Sequence, residues 1–187
     1  MILFASRAGR VAGLLALLLT LLVGAPALAQ SGKPHLLIEV TGGTIDIELL
    51  PELAPAHVER IVTLAERGFY DGVPFHRVIP GFMAQTGDPT GTGMSGSDLP
   101  DVKAEFSATP FVVGTVGAAR TNDPDSFNSQ FFIVNGPDAM GLTGDYTVFG
   151  RVVSGMELVQ AIKPGSGRMG LVQNPDKMLS AKIAYRN

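Results

Sequence analysis

One arginine is distinctive because it lies among hydrophobic residues. Arg77 belongs to the segment FHRVIPGFMAQTGD, residues 75–88, whose alternation predicts a β-strand. Such a strand would place Phe75, Arg77 and Ile79 on one face and so project a guanidinium onto a largely apolar surface. Because an isolated charge is costly to bury, the pattern predicts either a structural ion pair or a cation held ready for a ligand.

The residues after this strand offer the rest of a binding site. A turn at Pro80-Gly81 is predicted to reverse the chain, and Phe82, Met83 and Gln85 then supply an aromatic ring, a flexible thioether and an amide. Together with Arg77 they suit an apolar ligand that is held by one polar bond. Ordinary core packing of the ring and the thioether is the alternative.

Other catalytic chemistries have weak support. The three histidines, at positions 35, 57 and 76, fall on different predicted elements and lack the spacing of a metal site, so no metal is expected. No G-x-S-x-G elbow occurs, and the chain has no cysteine to act as a nucleophile. The acidic residues Asp98, Asp101 and Glu105 are interpreted as solvated loop charge without a role.

A glycine spacing shared with dinucleotide-binding loops also occurs. Gly91, Gly93 and Gly96 fit G-x-G-x-x-G, but that motif needs a strand before the glycines and a helix after them. Residues 89–97 are mostly Gly, Thr and Ser, and no helical periodicity follows, which predicts a surface loop. No nucleotide or other cofactor is therefore expected.

The N-terminus predicts a secretory signal peptide. Arg7 and Arg10 precede an apolar run, and Ala27-Leu28-Ala29 fits a small-x-small cleavage site. The run is shorter than the ~20 residues of a transmembrane helix, which favours cleavage over anchoring. We expect residues 1–29 to be removed, leaving one periplasmic or secreted domain over residues 30–187 without membrane attachment.

Composition limits the class of partner. The 187 residues are 45% apolar, which is enough for one domain with a sizeable core. Without the two leader arginines, 12 basic residues remain against 17 acidic ones, so nucleic acid is not an expected partner. An exported chain without cysteine must fold without disulfides.

The first half of the chain predicts a hairpin and a helix. The alternating runs LLIEV and TIDIELL flank Thr41-Gly42-Gly43, which predicts a β-hairpin. Pro55 begins an amphipathic pattern that ends at Gly68, where a left-handed cap would fall. The inward residues of this helix are predicted to be Val58, Ile61, Val62 and Ala65.

The second half predicts short strands. Segments 111–119, 129–134 and 146–153, together with KIAY near the C-terminus, are typical of buried strands, and residues 156–162 predict a short helix. Many short strands and 23 glycines indicate a mostly β fold, a closed or nearly closed antiparallel barrel. Because neighbouring side chains on a strand point to opposite faces, at most one of Phe131 and Phe132 is expected inside the barrel.

Three segments, FHRVIPGFMAQTGD, SQFFIV and VFGRVVSGM, resemble in order the signature segments of the cyclophilin-type peptidyl-prolyl cis-trans isomerases, with GFYDG upstream. The resemblance covers most of residues 30–187, and the leader is similar to that of the exported bacterial branch. It implies a closed eight-stranded antiparallel barrel capped by two α-helices, with a peptide groove on the outer face. It also implies a monomer without cofactors.

The same resemblance implies a function and its residues. The implied function is rotation about X-Pro bonds in unfolded or partly folded exported polypeptides, which assists their folding. Arg77 matches the catalytic arginine. The residues implied to bind substrate are Phe82, Met83, Gln85, Ala119, Arg120, Phe132, Leu142 and Tyr146.

One departure from the family lies next to this set. The position before Leu142 is often tryptophan or phenylalanine in the family and is Gly141 here, so the groove loses an aromatic wall that Met140 would fill only in part. We therefore expect weak binding of the inhibitor cyclosporin. The departure also leaves open a binding module or holdase without useful turnover, which loss of activity in Arg77→Ala would exclude.

Overall fold

The computed structural model describes residues 32–187, which form eight β-strands, two α-helices and one 3-10 helix. The strands are β1 (Lys33–Val40), β2 (Gly43–Leu49), β3 (Arg77–Ile79), β4 (Met83–Thr86), β5 (Thr115–Ala118), β6 (Phe131–Val134), β7 (Val148–Ser154) and β8 (Ser180–Arg186). The helices are α1 (Pro55–Glu66), α2 (Met156–Ala161) and the 3-10 helix Pro137–Leu142. Within residues 32–187, no helix has the length and apolar character that crossing a membrane requires. The predicted signal peptide lies outside the described residues.

The strands form one antiparallel sheet in the order β3-β4-β6-β5-β7-β2-β1-β8. The mostly β architecture and the two α-helices are confirmed, but the closed barrel is wrong, because no ladder joins β3 to β8 in the part of the chain described. The segment before β8 lies along β3 instead, through single bridges from Pro74 to Lys177 and from Arg77 to Leu171. Its prolines lack an N–H donor and its left-handed glycines interrupt the extended backbone, so a regular ladder cannot form.

The β1–β2 hairpin is confirmed. Ile38 pairs with Ile45 and Leu36 with Ile47, and all four side chains are completely buried. Since side chains alternate along a strand, this register places one continuous apolar row on the inner face of the sheet.

Helix α1 closes one side of the interior core. The helix is confirmed, and Gly68 after it has φ of +67°, the left-handed cap that glycine adopts without strain. Val58, Ile61 and Ala65 are buried as predicted, but Leu64 is buried as well and Val62 is only half-buried. Glu105 is not solvated loop charge: its carboxylate accepts hydrogen bonds from the backbone N–H groups of residues 56 and 57 at the start of α1.

Two predicted segments differ in detail. Strand β5 begins only at Thr115, because the preceding residues turn back after Pro110. Phe75 does not share a face with Arg77: β3 begins at Arg77, and Phe75 lies in the interior core with Val78. The prediction for the adjacent phenylalanines of β6 is confirmed, since residue 131 packs inside the core and residue 132 belongs to a separate cluster on the other face.

Candidate functional site

The hairpin of β3 and β4 positions the arginine. Arg77 pairs with Gln85 across the two strands, and its Nη1 donates to Gln85 Oε1 at 3.0 Å. Its Nε donates to the backbone carbonyl of Met169 at 3.0 Å. These two bonds hold the guanidinium from opposite ends, so its plane is fixed before any ligand arrives.

This guanidinium borders a pocket of about 160 Å³ on the outer face of the sheet. The structure brings together in it every residue that the sequence assigned to the site. The lining residues are Arg77, Phe82, Met83, Gln85, Ala119, Arg120, Phe132, Leu142 and Tyr146.

Stacked aromatic rings form the apolar side of the pocket. Phe132 stacks on Phe111 with ring centroids 5.6 Å apart and meets Tyr146 edge to face at 5.8 Å. The first stack requires glycine at position 117, because a Cβ there would lie 2.5 Å from the Phe132 ring and 2.6 Å from the Phe111 ring. The rings are therefore fixed by packing, which gives the pocket a rigid apolar wall.

A second cation lies at the edge of the pocket. The Nε of Arg120 donates to the backbone carbonyl of Asp145 at 3.0 Å, and its Nη1 donates to that of Thr121 at 3.0 Å. Its Cζ also lies 4.5 Å from the centroid of the Tyr146 ring, a cation–π contact. Arg120 therefore links the loops on either side of the pocket.

A relay of two amides sets the polarity of the bond to Arg77. The Nε2 of Gln130 donates to the backbone carbonyls of Gly93 at 3.1 Å and Ser95 at 2.8 Å, so its Oε1 must face the other way. That oxygen accepts from Gln85 Nε2 at 3.0 Å, which leaves Gln85 Oε1 to accept from Arg77. Because an amide has one accepting and one donating end, the loop carbonyls fix the orientation of both side chains.

The charge of Arg77 is not neutralised by any side chain that the structure describes. Among residues 32–187 no carboxylate forms an ion pair with this guanidinium, which excludes the structural ion pair within that range. Burial lowers the pKa of Arg77 from its ordinary value, but arginine remains protonated at any physiological pH. The site therefore offers a permanent cation beside an apolar wall.

The histidines lie away from this pocket. His35 Nδ1 is 2.6 Å from Asp46 Oδ1, and His57 Nδ1 is 2.7 Å from Glu105 Oε2. Both ring nitrogens of His76 are buried and have no hydrogen-bond partner in the described chain, and burial lowers its pKa. No group of three possible metal ligands occurs within residues 32–187.

The wall next to Leu142 is open. A Cβ added to Gly141 would meet no atom within 4 Å, and the Met140 side chain is 63% exposed and does not line the pocket. Met140 therefore leaves the gap unfilled. Weak cyclosporin binding stays a prediction.

Sequence reasoning missed three contributors to the site. Gln130 has a detectable signal, since it precedes Phe132 by two residues and so shares its face of the strand. Phe111 was assigned only to a buried strand. The carbonyl of Met169 has no sequence signal, because any residue type supplies the same acceptor.

Comparisons with known proteins agree with this geometry. Residues 35–183 match the family model described as cyclophilin type peptidyl-prolyl cis-trans isomerase/CLD. A probable peptidyl-prolyl cis-trans isomerase of Brucella suis is 48% identical over 175 residues, covering 86% of this chain and 89% of the relative. A peptidyl-prolyl cis-trans isomerase-like 1 of Aspergillus fumigatus is 44% identical over 134 residues, covering 70% of this chain and 78% of the relative.

Solved structures share the fold. The crystal structure of the cyclophilin AquaCyp293 from Hirschia baltica superposes with a TM-score of 0.69 at 29% identity, covering 79% of this chain and 72% of that one. The cyclophilin-type isomerase cgd2_1660 of Cryptosporidium parvum has a TM-score of 0.74, covering 83% of this chain and 99% of that one. At 24% identity, the second comparison supports the fold alone.

Proposed function

The chain belongs to the cyclophilin-type peptidyl-prolyl cis-trans isomerases, and we propose that the pocket around Arg77 is its active site. Its reaction is rotation about X-Pro peptide bonds, and its substrates are proline-containing polypeptides. The observation that carries the proposal is a cation without a carboxylate partner among residues 32–187, fixed by Gln85 and Met169 beside the aromatic wall of a pocket.

The barrier to this rotation is electronic. An X-Pro amide resists twisting because its nitrogen shares a lone pair with the carbonyl, which gives a barrier of roughly 18–20 kcal/mol. At the twisted transition state the prolyl nitrogen becomes pyramidal and regains the lone pair. A donor aimed at that nitrogen therefore stabilises the transition state more than either planar ground state.

Arg77 has the chemistry that this donor needs. Its Nε and Nη1 are held by protein acceptors, whereas Nη2 has no hydrogen-bond partner among residues 32–187. In the proposed geometry the proline ring lies against Phe82, Phe132 and Leu142, so its nitrogen faces the guanidinium. The carbonyl side of the bond then turns while the ring stays fixed.

One hydrogen bond does not account for the whole rate gain. A gain of ~10⁵-fold corresponds to about 7 kcal/mol, and a bond to a charged donor contributes about 3 kcal/mol at most. Gln85 and the backbone near Ala119 and Arg120 are placed to hold the flanking peptide, and the aromatic wall keeps water from the ring. Positioning and desolvation supply the remainder.

The test is a protease-coupled assay on an X-Pro peptide. Wild-type protein should accelerate isomerisation, and Arg77→Ala should lose roughly 10²–10³-fold of kcat/KM, the usual loss when one transition-state donor is removed. Arg77→Lys keeps the charge but cannot hold both acceptors at once, so it should fall between the two. Full activity in Arg77→Ala would place the active site elsewhere.

We also propose that the protein acts on exported polypeptides, as a monomer over residues 30–187 in the periplasm or outside the cell. The support is the leader-like composition of residues 1–29, and the monomer is what the family resemblance implies. Mass spectrometry of the protein purified from its own cells should find an N-terminus at Gln30. An intact Met1 start on cytoplasmic protein would contradict export.

A further inference from the structure

Three methionines are unusually exposed in this structure. Met94, Met140 and Met169, here called the rim methionines, are 89%, 63% and 65% exposed. Met83 and Met178, by contrast, are 1% and 0% exposed. A single exposed hydrophobic side chain is ordinary, so the three are of interest only for their common position around one pocket.

Backbone contacts attach two of the three to the active-site pocket. Met94 lies between Gly93 and Ser95, whose carbonyls both accept from Gln130 in the amide relay. The carbonyl of Met169 accepts from Arg77. These two therefore belong to loops that are hydrogen-bonded to the pocket itself.

The third rim methionine is placed by a short helix. Met140 belongs to the 3-10 helix Pro137–Leu142, whose last residue lines the pocket. The same helix is joined to the β3–β4 turn, because the N–H of Asp138 donates to the carbonyl of Gly81 at 3.0 Å. Three separate segments that are connected to a single pocket through hydrogen bonds or a lining residue thus each carry one exposed thioether.

We propose that the rim methionines bind the apolar side chains that flank the proline of an unfolded polypeptide substrate, which extends the site beyond the proline pocket. The inference rests on the proposed function of the Arg77 pocket, because the occupant is the chain that continues from that pocket on either side. Apolar side chains exposed on both sides of a proline distinguish an unfolded polypeptide from a polar flexible loop.

Methionine suits this surface physically. Its side chain is unbranched and polarisable, so it adapts to apolar partners of different shape, and it makes no directional bond that would demand one sequence. A rim of three such side chains provides preference for apolar segments without specificity for any single residue. Since the rim carries no charge of its own, this preference should be insensitive to salt.

The test compares two peptides on two triple variants. Both peptides contain one Ala-Pro bond and have the same length, with leucine and phenylalanine on both sides in one and serine and glutamine in the other. NMR exchange spectroscopy at low peptide concentration gives a catalysed rate proportional to kcat/KM. The rim variant is Met94→Gln, Met140→Gln, Met169→Gln, and the control is Val112→Thr, Val113→Thr, Val153→Thr, three valines that are 46–49% exposed and lie outside the pocket.

The quantity to compare is the apolar-to-polar ratio of these rates. Covering roughly 60 Å² of apolar surface corresponds to a factor of about ten, so the ratio should fall by about tenfold in the rim variant and stay at the wild-type value in the control. An unchanged ratio in the rim variant, or an equal fall in both variants, overturns the proposal.

Failure of the proposed function would be visible separately. Wild-type protein that catalyses exchange in neither peptide contradicts the isomerase site. In that case fluorescence anisotropy of the labelled apolar peptide tests whether the rim methionines bind this peptide. Tenfold weaker binding to the rim variant than to wild type supports it, and equal binding overturns it.

Discussion

Two pockets on the surface of the sheet differ in whether their charged residue has a partner of opposite charge. The pocket at Arg77 has a volume of about 160 Å³, and the pocket at Glu48 is larger, about 430 Å³. Arg77 lacks a carboxylate partner among the described residues, whereas Glu48 is bound by two cations. The charge of Arg77 thus remains available to a polar group of a ligand, whereas the charge of Glu48 is already paired.

The Glu48 pocket satisfies its charge internally. Lys33 Nζ donates to Oε1 at 2.5 Å, and Arg151 donates to Oε2 from Nε at 2.9 Å and from Nη2 at 2.6 Å. The hydrogen bond from Lys33, followed by the contribution of Arg151, lowers the pKa of Glu48 although burial opposes it. Such a cluster stabilises the fold, and the comparison teaches that unused hydrogen-bonding capacity, rather than volume, indicates the site.

The largest effect should come from removing the arginine of each pocket in turn. Arg77→Ala is expected to lower kcat/KM by roughly 10²–10³-fold and to lower the free energy of unfolding by about 1 kcal/mol, because its hydrogen bonds to Gln85 and Met169 are lost in a pocket that water can enter. Arg151→Ala is expected to keep kcat/KM within about twofold and to lower the free energy of unfolding by about 1 kcal/mol. That figure is small because Arg151 is 60% exposed and Lys33 remains on Glu48.

Both quantities can be measured on the same preparations, by the protease-coupled assay and by guanidinium unfolding. Lys182→Ala, a surface change on β8 outside both pockets, serves as the control. The contrast between the pockets fails if Arg151→Ala reduces activity as much as Arg77→Ala does.

The sequence could locate the Arg77 pocket because half of it is local. Arg77, Phe82, Met83 and Gln85 lie on one hairpin, so alternation and a single turn bring them together without knowledge of the rest of the fold. Leu142 and Tyr146 come from a distant segment, and only the resemblance to a family could join them to the hairpin.

Features that depend on backbone groups could not be predicted from the sequence. The open sheet results from an irregular segment along β3, where the pairing partners are carbonyls of Gly170 and His76 rather than a recognisable strand. The second support of Arg77, the carbonyl of Met169, is equally independent of residue type. Glu105 was misjudged because capping of α1 joins residues 49 positions apart.

An effect of intermediate size should follow from breaking the amide relay. Gln130→Ala removes the group that orients Gln85, so Arg77 loses one of its two fixed acceptors and kcat should fall by roughly tenfold, with a smaller change in KM. Gln130→Glu is the decisive companion. It keeps an acceptor for Gln85, but its oxygens cannot donate to the carbonyls of Gly93 and Ser95 and are repelled by them. The side chain should therefore leave this position, and the variant should behave like the alanine variant.

Steady-state kinetics on both variants separate kcat from KM. Wild-type kcat in Gln130→Glu would mean that an acceptor facing Gln85 is sufficient and that the bonds to the loop carbonyls are not needed. A rise in KM alone in either variant would assign Gln130 to ground-state substrate binding instead.

The smallest effect on activity should come from pH, because the arginine of the active site does not titrate near neutral pH whereas the buried histidines outside it do. Arg77 stays protonated, so kcat/KM should change by less than about twofold between pH 5.5 and 8.5. Stability should not be flat, because burial lowers the pKa of His57 despite its hydrogen bond to Glu105. As the pH falls through about 6.5, His57 therefore becomes protonated in the unfolded chain but stays neutral in the folded chain. Folding stability is complete above that pH and falls as the pH decreases through it.

Between pH 7 and pH 5.5 the folding stability should decrease, by at most about 1.4 kcal/mol per pH unit for each histidine that stays neutral in the folded chain. Guanidinium unfolding at pH 5.5, 6.5 and 7.5 measures it, and His57→Gln, which can still donate to Glu105 but cannot titrate, should reduce the slope. His76, whose pKa burial also lowers, should supply the part that remains. A limb near pH 6–7 in kcat/KM, at a pH where the protein is still folded, would show that a titrating group takes part in the reaction. His76, directly before Arg77 in the chain and also shifted to lower pKa by burial, would then be the residue to replace next.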